Sequence, residues 1–498
     1  MHRRTLSLAL ALALAPLAVH GEDLLQTYRI ARTADPQLQA AEASMRSSKE
    51  GAVQARSSLL PQVGASASVN ASRTSVPGGG YYIDPNDPTQ TPIAINGSTT
   101  NTHSANLGIS VNQLIFDRSA INSLQAAKAR SKSGEYQYEA AGDDLITRTS
   151  QAYFNVLVAM ETLAAAEASE TALKKQFDFA SKRLEVGLAP ITDVHEARAQ
   201  YDAARANTIV QRNTLEDSYQ ALAEITGKPI RSLMALPDDF RPSLPPEGGV
   251  DEWVKRAIDT NPTLQAQRYT VQAAEDNISG ARAGYLPTLT ANGSYGANRS
   301  WSSNSFSGSN NANGWSHGPS IGVTLKVPIF NGGYTSSTVR QSIAQRDAAQ
   351  DQYEQQRRSV ERVTRNAYQS LVAGVSAVEA RRLALVAAQS AYDASQVGLE
   401  VGTRTVIDVL INEQNLFNAR QAYSQAKYSF LQSQLALKQA AGTLDVADVE
   451  SVNRLLTVAA GQVPEVKNSD ASTPDATQST PAASKPATAK KAKRKTKR

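Results

Sequence analysis

The sequence predicts an α+β chain written twice, each copy setting two amphipathic β-strands ahead of a long α-helical hairpin. Three observations carry that prediction. Signature segments recur in the same order at a nearly constant offset, and four segments alternate strictly between polar and apolar residues. No proline falls between Asp117 and Gly187, nor between Gly332 and Gly402.

Self-similarity at a fixed period divides a chain into copies of one unit, so the repeat organises the rest. Asp35-Pro36-Gln37-Leu38 returns as Asn261-Pro262-Thr263-Leu264, and Leu60-Pro61 as Leu286-Pro287, both at an offset of 226. Ile115-Phe116-Asp117 returns as Ile329-Phe330-Asn331 at 214. Leu184-Glu185-Val186-Gly187 returns letter for letter as Leu399-Glu400-Val401-Gly402 at 215, as do Asp193-Val194 (Asp408-Val409) and Gly227 (Gly442). The offset changes only between about residues 61 and 108, where the first copy has a longer Gly/Pro/Asn insert. The two repeats are expected to occupy residues 22–245 and 246–460.

Taken in order, the chain opens with Arg3 and Arg4 ahead of an apolar run from Leu6 to Val19 and the segment Val19-His20-Gly21. That is the layout of a cleavable secretory signal over residues 1–21. The run is too short for an anchor, since a spanning helix needs roughly 20 apolar residues. No later stretch is long and apolar enough to cross a bilayer as a helix, so any crossing has to use strands. The chain has no cysteine, which excludes disulfides and thiol catalysis in this exported protein.

Each repeat then begins a helix with an N-cap and proline pair, Asp35-Pro36 or Asn261-Pro262. Proline suits the first helical position because its missing N–H would have no partner there. The helix stops at Leu60-Pro61 or Leu286-Pro287, and alternation takes over. Val63, Ala65, Ala67, Val69 and Ala71 define one apolar face, and Leu107, Ile109 and Val111 another. The second repeat offers Leu289, Ala291, Tyr295 and Ala297, then Ile321, Val323, Leu325, Val327 and Ile329. Strands are therefore expected at about residues 62–72, 105–116, 288–298 and 318–330, each with one apolar and one polar face.

After Asp117 and Asn331, both suitable N-caps, apolar residues recur at steps of three and four, as in Val360, Val363, Ala367, Leu371, Val375 and Val378. Each proline-free stretch predicts one helix of roughly 65 residues, on the order of 100 Å at 1.5 Å per residue. Gly187 and Gly402 break these helices and a second arm returns, giving hairpins over about 119–226 and 335–441. An apolar stripe near period 3.5 with many small residues predicts coiled-coil packing of the arms.

The net charge of +5 divides unevenly. The signal carries +2 and residues 468–498 carry +6, so residues 22–467 hold −3. The basic pI belongs to a tail of Ala, Thr, Ser and Pro ending in Lys490-Lys491-Ala492-Lys493-Arg494-Lys495-Thr496-Lys497-Arg498. Residues 461–498 are expected to be disordered. A nucleic-acid-binding reading rests on that tail alone and conflicts with secretion.

Four strands of about eleven residues have the length and pattern of membrane β-strands. Open sheet edges cannot face lipid, and the smallest outer-membrane barrels have about eight strands. One chain cannot close such a barrel. Three chains supply twelve strands around a water-filled tube lined by the polar faces, and helices of this length extend from it across the periplasm. The expected class is an α+β membrane protein: a trimeric 12-stranded outer-membrane barrel continuous with an α-helical coiled-coil periplasmic tunnel.

The repeated helix–strand–loop–strand–long-helix–hairpin plan resembles the TolC-type outer-membrane factor family over about residues 22–450. The resemblance is carried by the twin proline pairs, Glu185-Val186-Gly187-Leu188-Ala189-Pro190-Ile191-Thr192-Asp193-Val194 and Val401-Gly402-Thr403-Arg404-Thr405-Val406-Ile407-Asp408-Val409-Leu410. It implies a homotrimer that docks to a periplasmic adaptor and an inner-membrane transporter, serving efflux or type I secretion. It implies adaptor contacts at Val186, Gly187, Leu188, Val401, Gly402 and Thr403. It also implies gating at the periplasmic mouth by Thr192, Asp193, Arg404 and Asp408. Leu399 stands where the family has a gating Tyr, and Ile411 where it has a second acidic ring. Thr405 with Asp408, and Asp193 with Glu196, also have the spacing of helix capping boxes.

Little supports enzyme chemistry. Of five histidines, His2 and His20 leave with the signal and His195 has no nearby partner at metal spacing. There is no Walker-type loop, GxSxG elbow or HExxH run, and no cofactor is expected. The competing non-enzymatic reading is an exported coiled-coil adhesin or scaffold, which leaves the doubled amphipathic strands unexplained.

Overall fold

A computed structural model describes residues 22–460 apart from 83–88, 90, 92, 96, 238, 245–247 and 305–313. The expected signal peptide and basic tail lie outside the described residues, as do the tips of both polar loops. In the first half the elements are α1 (Leu24–Ala34), α2 (Pro36–Ser57), β1 (Gln62–Val76), β2 (Gly80–Tyr82), β3 (Ile93–Ile95), β4 (Ser98–Phe116), α3 (Arg118–Glu185) and α4 (Ile191–Thr226). The segment that connects the halves carries β5 (Met234–Ala235), and the second half holds α5 (Val250–Thr260), α6 (Pro262–Arg282), β6 (Thr288–Asn304), β7 (Ser316–Lys326), α7 (Tyr334–Glu400), α8 (Val406–Ala441), α9 (Val446–Asn453) and β8 (Val458–Ala459).

Asp35 and Asn261 each start a helix as its N-cap, as expected, and each also closes a further helix just before it. Asp35 is extended (φ −64°, ψ 119°), so its own N–H closes α1 on the Ala31 carbonyl while its carboxylate accepts from the Leu38 amide at 2.8 Å. Asn261 repeats this between α5 and α6, accepting from the Leu264 amide at 3.2 Å. The preceding helices α1 and α5 stand where the sequence reading placed none. They are short, but each buries one face: Leu24, Tyr28 and Ala31 in α1, and Trp253, Val254 and Ala257 in α5.

The four long strands form one antiparallel sheet in the order β1-β4-β6-β7, so strands from both halves meet at β4 and β6. Register aligns the alternating residues across it. Val63 faces Val111, which faces Gly293, which faces Ile321; Ala67, Leu107, Ala297 and His317 form a parallel row. The strands run 15, 19, 17 and 11 residues, mostly longer than the eleven expected. The extra length in β4 is Ser-Thr-Thr-Asn-Thr-His-Ser, which sustains a ladder without any apolar signal. β7 stops at Lys326 instead of about residue 330, because Pro328 has no N–H to donate and Val327–Phe330 leave the ladder. Within one chain, β1 and β7 each keep an unpaired edge.

Helices α3 and α7 run 68 and 67 residues, each about 100 Å. Asp117 caps α3, accepting from the Ser119 and Ala120 amides at 2.7 and 3.3 Å. Asn331 does not cap α7. Gly332 and Gly333 follow it with φ of 62° and 83°, so the chain makes a left-handed turn before the helix begins, and the Asn331 amide bonds the Thr335 hydroxyl instead. Helix α3 packs on α4 and α7 on α8, while α3 also touches α6 and α8, which ties the halves together.

The main apolar core sits near the middle of the long helices. Tyr153, Phe154 and Leu157 of α3 meet Tyr428, Phe430 and Leu431 of α8, together with Leu24, Leu222, Leu233, Trp253, Val449 and Leu456 from the short elements. Tyr153 is fully buried, and its hydroxyl donates to the Met234 carbonyl (2.9 Å) and accepts from the Met234 amide (2.8 Å). A buried phenol requires such partners. These bonds fasten the connecting segment that carries β5 across the helices.

Candidate functional site

The chain presents two surfaces with chemistry to offer: the hairpin tips and the two faces of the sheet. At the first tip α3 ends at Glu185, Val186 closes the last turn, and Gly187 turns left-handed at φ 74°. The Gly187 amide returns to the Leu184 carbonyl (2.9 Å) and the Leu188 amide to the Arg183 carbonyl (2.7 Å). The second tip is built alike: Gly402 at φ 80°, its amide on the Leu399 carbonyl (3.2 Å), and the Thr403 amide on the Gly398 carbonyl (2.8 Å). Both are Schellman closures, which need a residue at ease with positive φ. They push apolar side chains into solvent: Val186, Leu188 and Val401 are 67, 68 and 69% exposed. Three exposed apolar side chains thus stand together on two similar turns, the kind of surface feature that needs an explanation.

Just above the second tip, Thr405 and Asp408 form a reciprocal capping box. The Thr405 hydroxyl accepts from the Asp408 amide (3.2 Å), and the Asp408 carboxylate accepts from the Thr405 amide and hydroxyl, both at 2.9 Å. Those bonds, with Arg404 nearby, hold the Asp408 carboxyl below its ordinary value. The Arg404 stem lies across Gly398, where an added Cβ would stand 2.6 Å from Arg404 Cγ. The glycine therefore lets the arginine fold back over the helix end.

The first hairpin is different. Helix α4 starts at Ile191 with Pro190 as its N-cap and no side-chain cap, so Asp193 lies in the first turn and does not open a capping box with Glu196. Proline takes the capping position, leaving Asp193 to interact with the helix end only through its charge. Thr192 is exposed and Asp193 half-buried. Among the described residues of one chain, no hydrogen bond or ion pair joins Thr192 or Asp193 to Arg404 or Asp408.

A residue not singled out from the sequence lies just above these. Glu413 of α8 is 8% exposed, and burial raises its carboxyl against the opposing influence of the Tyr392 hydroxyl and Arg420. Its signal was available, because Val409, Leu410, Glu413 and Leu416 share the buried stripe of α8 at steps of three and four.

The sheet faces differ in kind. One carries Val63, Val69, Leu107, Ile109, Tyr295, Ile321, Val323 and Leu325, all exposed in a single chain. The other is lined by serine, threonine and asparagine, with the Ser294 and Ser320 hydroxyls 2.8 Å apart and Asn106 donating to Ser68 at 3.3 Å. No described helix is long and apolar enough to cross a membrane.

A sheet that is apolar on one side and hydroxyl-lined on the other, carried by two helical hairpins whose longer arms run about 100 Å, defines a class of outer-membrane channel. Residues 27–228 and 253–443 match the family model described as outer membrane efflux protein, and the chain belongs to that family. It is 35% identical over 461 residues to outer membrane protein TolC of Vibrio cholerae serotype O1, covering 92% of this chain and 99% of that one. It is 27% identical to the proteases secretion protein PrtF of Dickeya chrysanthemi, covering 90 and 94% of the two chains. Among solved structures it shares the fold of the Campylobacter jejuni CmeC outer membrane channel, with a TM-score of 0.68 at 19% identity over 88% of this chain and 90% of that one.

Proposed function

We propose that three copies of this chain form an outer-membrane exit duct that carries small molecules or proteins across the periplasm and outer membrane. The observation that carries this reading is the open sheet. Its apolar face needs lipid, its polar face needs water, and the free edges of β1 and β7 need partners. Pairing β7 of one copy with β1 of the next, three times over, satisfies all three requirements with a 12-stranded barrel. The coiled-coil hairpins continue that barrel as a tunnel in the periplasm.

Within this reading the chain divides into a signal peptide (1–21), two repeats (22–245 and 246–460) and a basic tail (461–498). Val186, Gly187, Leu188, Val401, Gly402 and Thr403 form the docking knobs for a periplasmic adaptor, which links the duct to an inner-membrane transporter. Thr192, Asp193, Arg404 and Asp408 hold the mouth. Asp193 and Arg404 share no bond in the described chain, and in this reading their contact is one between neighbouring protomers. Leu399 and Ile411, apolar where a tyrosine and an acid would add links, leave that closure dependent on fewer polar groups.

The test is planar-bilayer conductance of the detergent-extracted protein, with its mass measured in the same preparation. Discrete channels from a trimer are expected. A protein that leaves the membrane with carbonate and shows no conductance at any voltage would make it a coiled-coil scaffold instead.

A further inference from the structure

The apolar sheet face changes character along its length. At the end where α3 and α7 begin, its rows are aliphatic, as at Leu289 and Leu325 or Ala291 and Val323. At the far end one row holds Ala71, His103 and Trp301, the row before it Val69, Ala105 and Arg299, and the row beyond it Arg73 and Asn101. Tyr295 and His317 stand on the same face, opposite Ile109 and Ala297. These groups touch. His103 stacks on Trp301 with ring centroids 5.6 Å apart, Arg299 Cζ lies 5.8 Å from the Trp301 ring centroid, and the Tyr295 and His317 rings are 6.4 Å apart.

Neither Asp nor Glu occurs in β1, β4, β6 or β7. Arg73 and Arg299 therefore share their face with no carboxylate, and both are exposed. The polar face of the same strands, by contrast, carries a single cation, Lys326 at the opposite end. The ten residue steps from Leu289 to Arg299 span about 33 Å of strand, or about 25 Å of height at the usual tilt near 40°. That is the height of the apolar band on a membrane barrel, so the arginines fall at its rim, where tryptophan and tyrosine also belong.

This inference rests on the duct reading, which puts the helices in the periplasm and this rim at the outer leaflet. We propose that Arg73 and Arg299, with His103 and Trp301, bind the headgroup of a phosphorylated glycolipid of the outer leaflet, its acyl chains lying along Leu107, Ile109 and Val111. A planar guanidinium fork matches phosphate oxygens, and the indole edge sits where apolar chain gives way to headgroup. Two strand spacings and four residues separate the arginines, roughly 16 Å between Cα atoms. Each thus serves its own phosphate on a headgroup that carries more than one.

The experiment is a native mass-spectrometry titration of the full-length, detergent-extracted protein with diphosphoryl lipid A and with its dephosphorylated form. The wild type is expected to bind the diphosphoryl form at least tenfold more tightly. An R73Q/R299Q double variant is expected to lose that preference and to keep wild-type affinity for the dephosphorylated lipid. Equal affinity for the two lipids in the wild type, or an unchanged preference in the double variant, overturns the proposal. So does full displacement of the lipid by millimolar inorganic phosphate, which would mark a site for the free anion. Channel recordings of both proteins in phospholipid bilayers keep the two readings apart. Wild-type channels without lipid discrimination sink this site alone, whereas absent channels sink the duct.

Discussion

The Tyr428 hydroxyl donates to Glu161 across the two halves of the chain at 2.9 Å, while accepting from the Leu236 amide at 3.4 Å. One oxygen therefore joins α8, α3 and the connecting segment. The Lys427 ammonium, almost wholly buried, lies 3.6 Å from the other Glu161 oxygen and 5.1 Å from the Tyr423 ring centroid. A bond from a hydroxyl to a carboxylate in such surroundings contributes about 1.5–3 kcal/mol. Tyr428→Phe is expected to lower stability by that amount, read as the denaturation midpoint of the helical circular-dichroism signal. A midpoint equal to wild type would show that water replaces the phenol at no cost.

Two glycines with similar backbone angles are predicted to respond very differently to alanine. Gly402, at φ 80°, has open space where a Cβ would go, so Gly402→Ala costs about 1 kcal/mol of left-handed strain. Gly442, at φ 65°, has the Asn261 Cα at 2.6 Å and its N at 2.7 Å from that position. Thr260 and Asn261 side chains also bond the Ala441 and Ala440 carbonyls there. Gly442→Ala must push the α5–α6 junction off the end of α8, and a loss of about 3 kcal/mol or more is expected. Denaturation midpoints of the two variants compare them directly, and equal losses would refute the packing argument.

Arg404→Ser and Asp193→Ala are each predicted to raise the resting conductance of the channel and the uptake of large antibiotics. Wild-type conductance in both variants would remove these residues from the gate. The Asp408 carboxyl is held below its ordinary value, so the box it makes with Thr405 is complete above the usual carboxylate range and is lost only as pH falls through the lowered value. Resting conductance should accordingly stay flat across the neutral and mildly acidic range and change only once pH falls below the usual carboxylate range.

Asp143 of α3 is predicted to make the protein less stable as pH rises. Burial, with Glu139 and Asp445 nearby, pushes its carboxyl up to about 7. The folded chain then holds a proton that the unfolded chain has lost, so stability falls between about pH 4 and pH 7. Asp143→Asn removes that loss. Allowing for partial exposure, a gain of about 1–3 kcal/mol at pH 8 and none at pH 4 is expected. A gain of equal size at both pH values would assign the effect to packing instead.

Where local chemistry decides an element, the residues announce it. Asp35, Asn261, Asp117 and Thr405 cap helices because a short polar side chain stands before a helical run. Gly187 and Gly402 end helices because positive φ excludes most other residues. Alternation likewise puts Val63, Leu107, Tyr295 and Ile321 on one face. What the sequence hid depends on context. Asn331 loses its cap to the two glycines after it, and Asp193 loses its cap to Pro190. The upper part of β4 is polar on both faces and carries no periodic signal, and α1 and α5 are legible only through the core that receives them. At the proposed mouth, Thr192 and Arg404 are readable as positions, whereas partners for them in the proposed trimer depend on how its protomers meet.

The buried tyrosines Tyr153 and Tyr428 also set a mechanical scale. From Tyr153 to Glu185 is 32 residues of continuous helix, a lever of about 48 Å. With its upper end pinned at that fulcrum, each degree of swing moves the tip by about 0.8 Å, so a swing near 12° carries it about 10 Å. A mouth can thus be widened by small rotations summed along stiff rods, with no helix unwound and no strand in the sheet displaced.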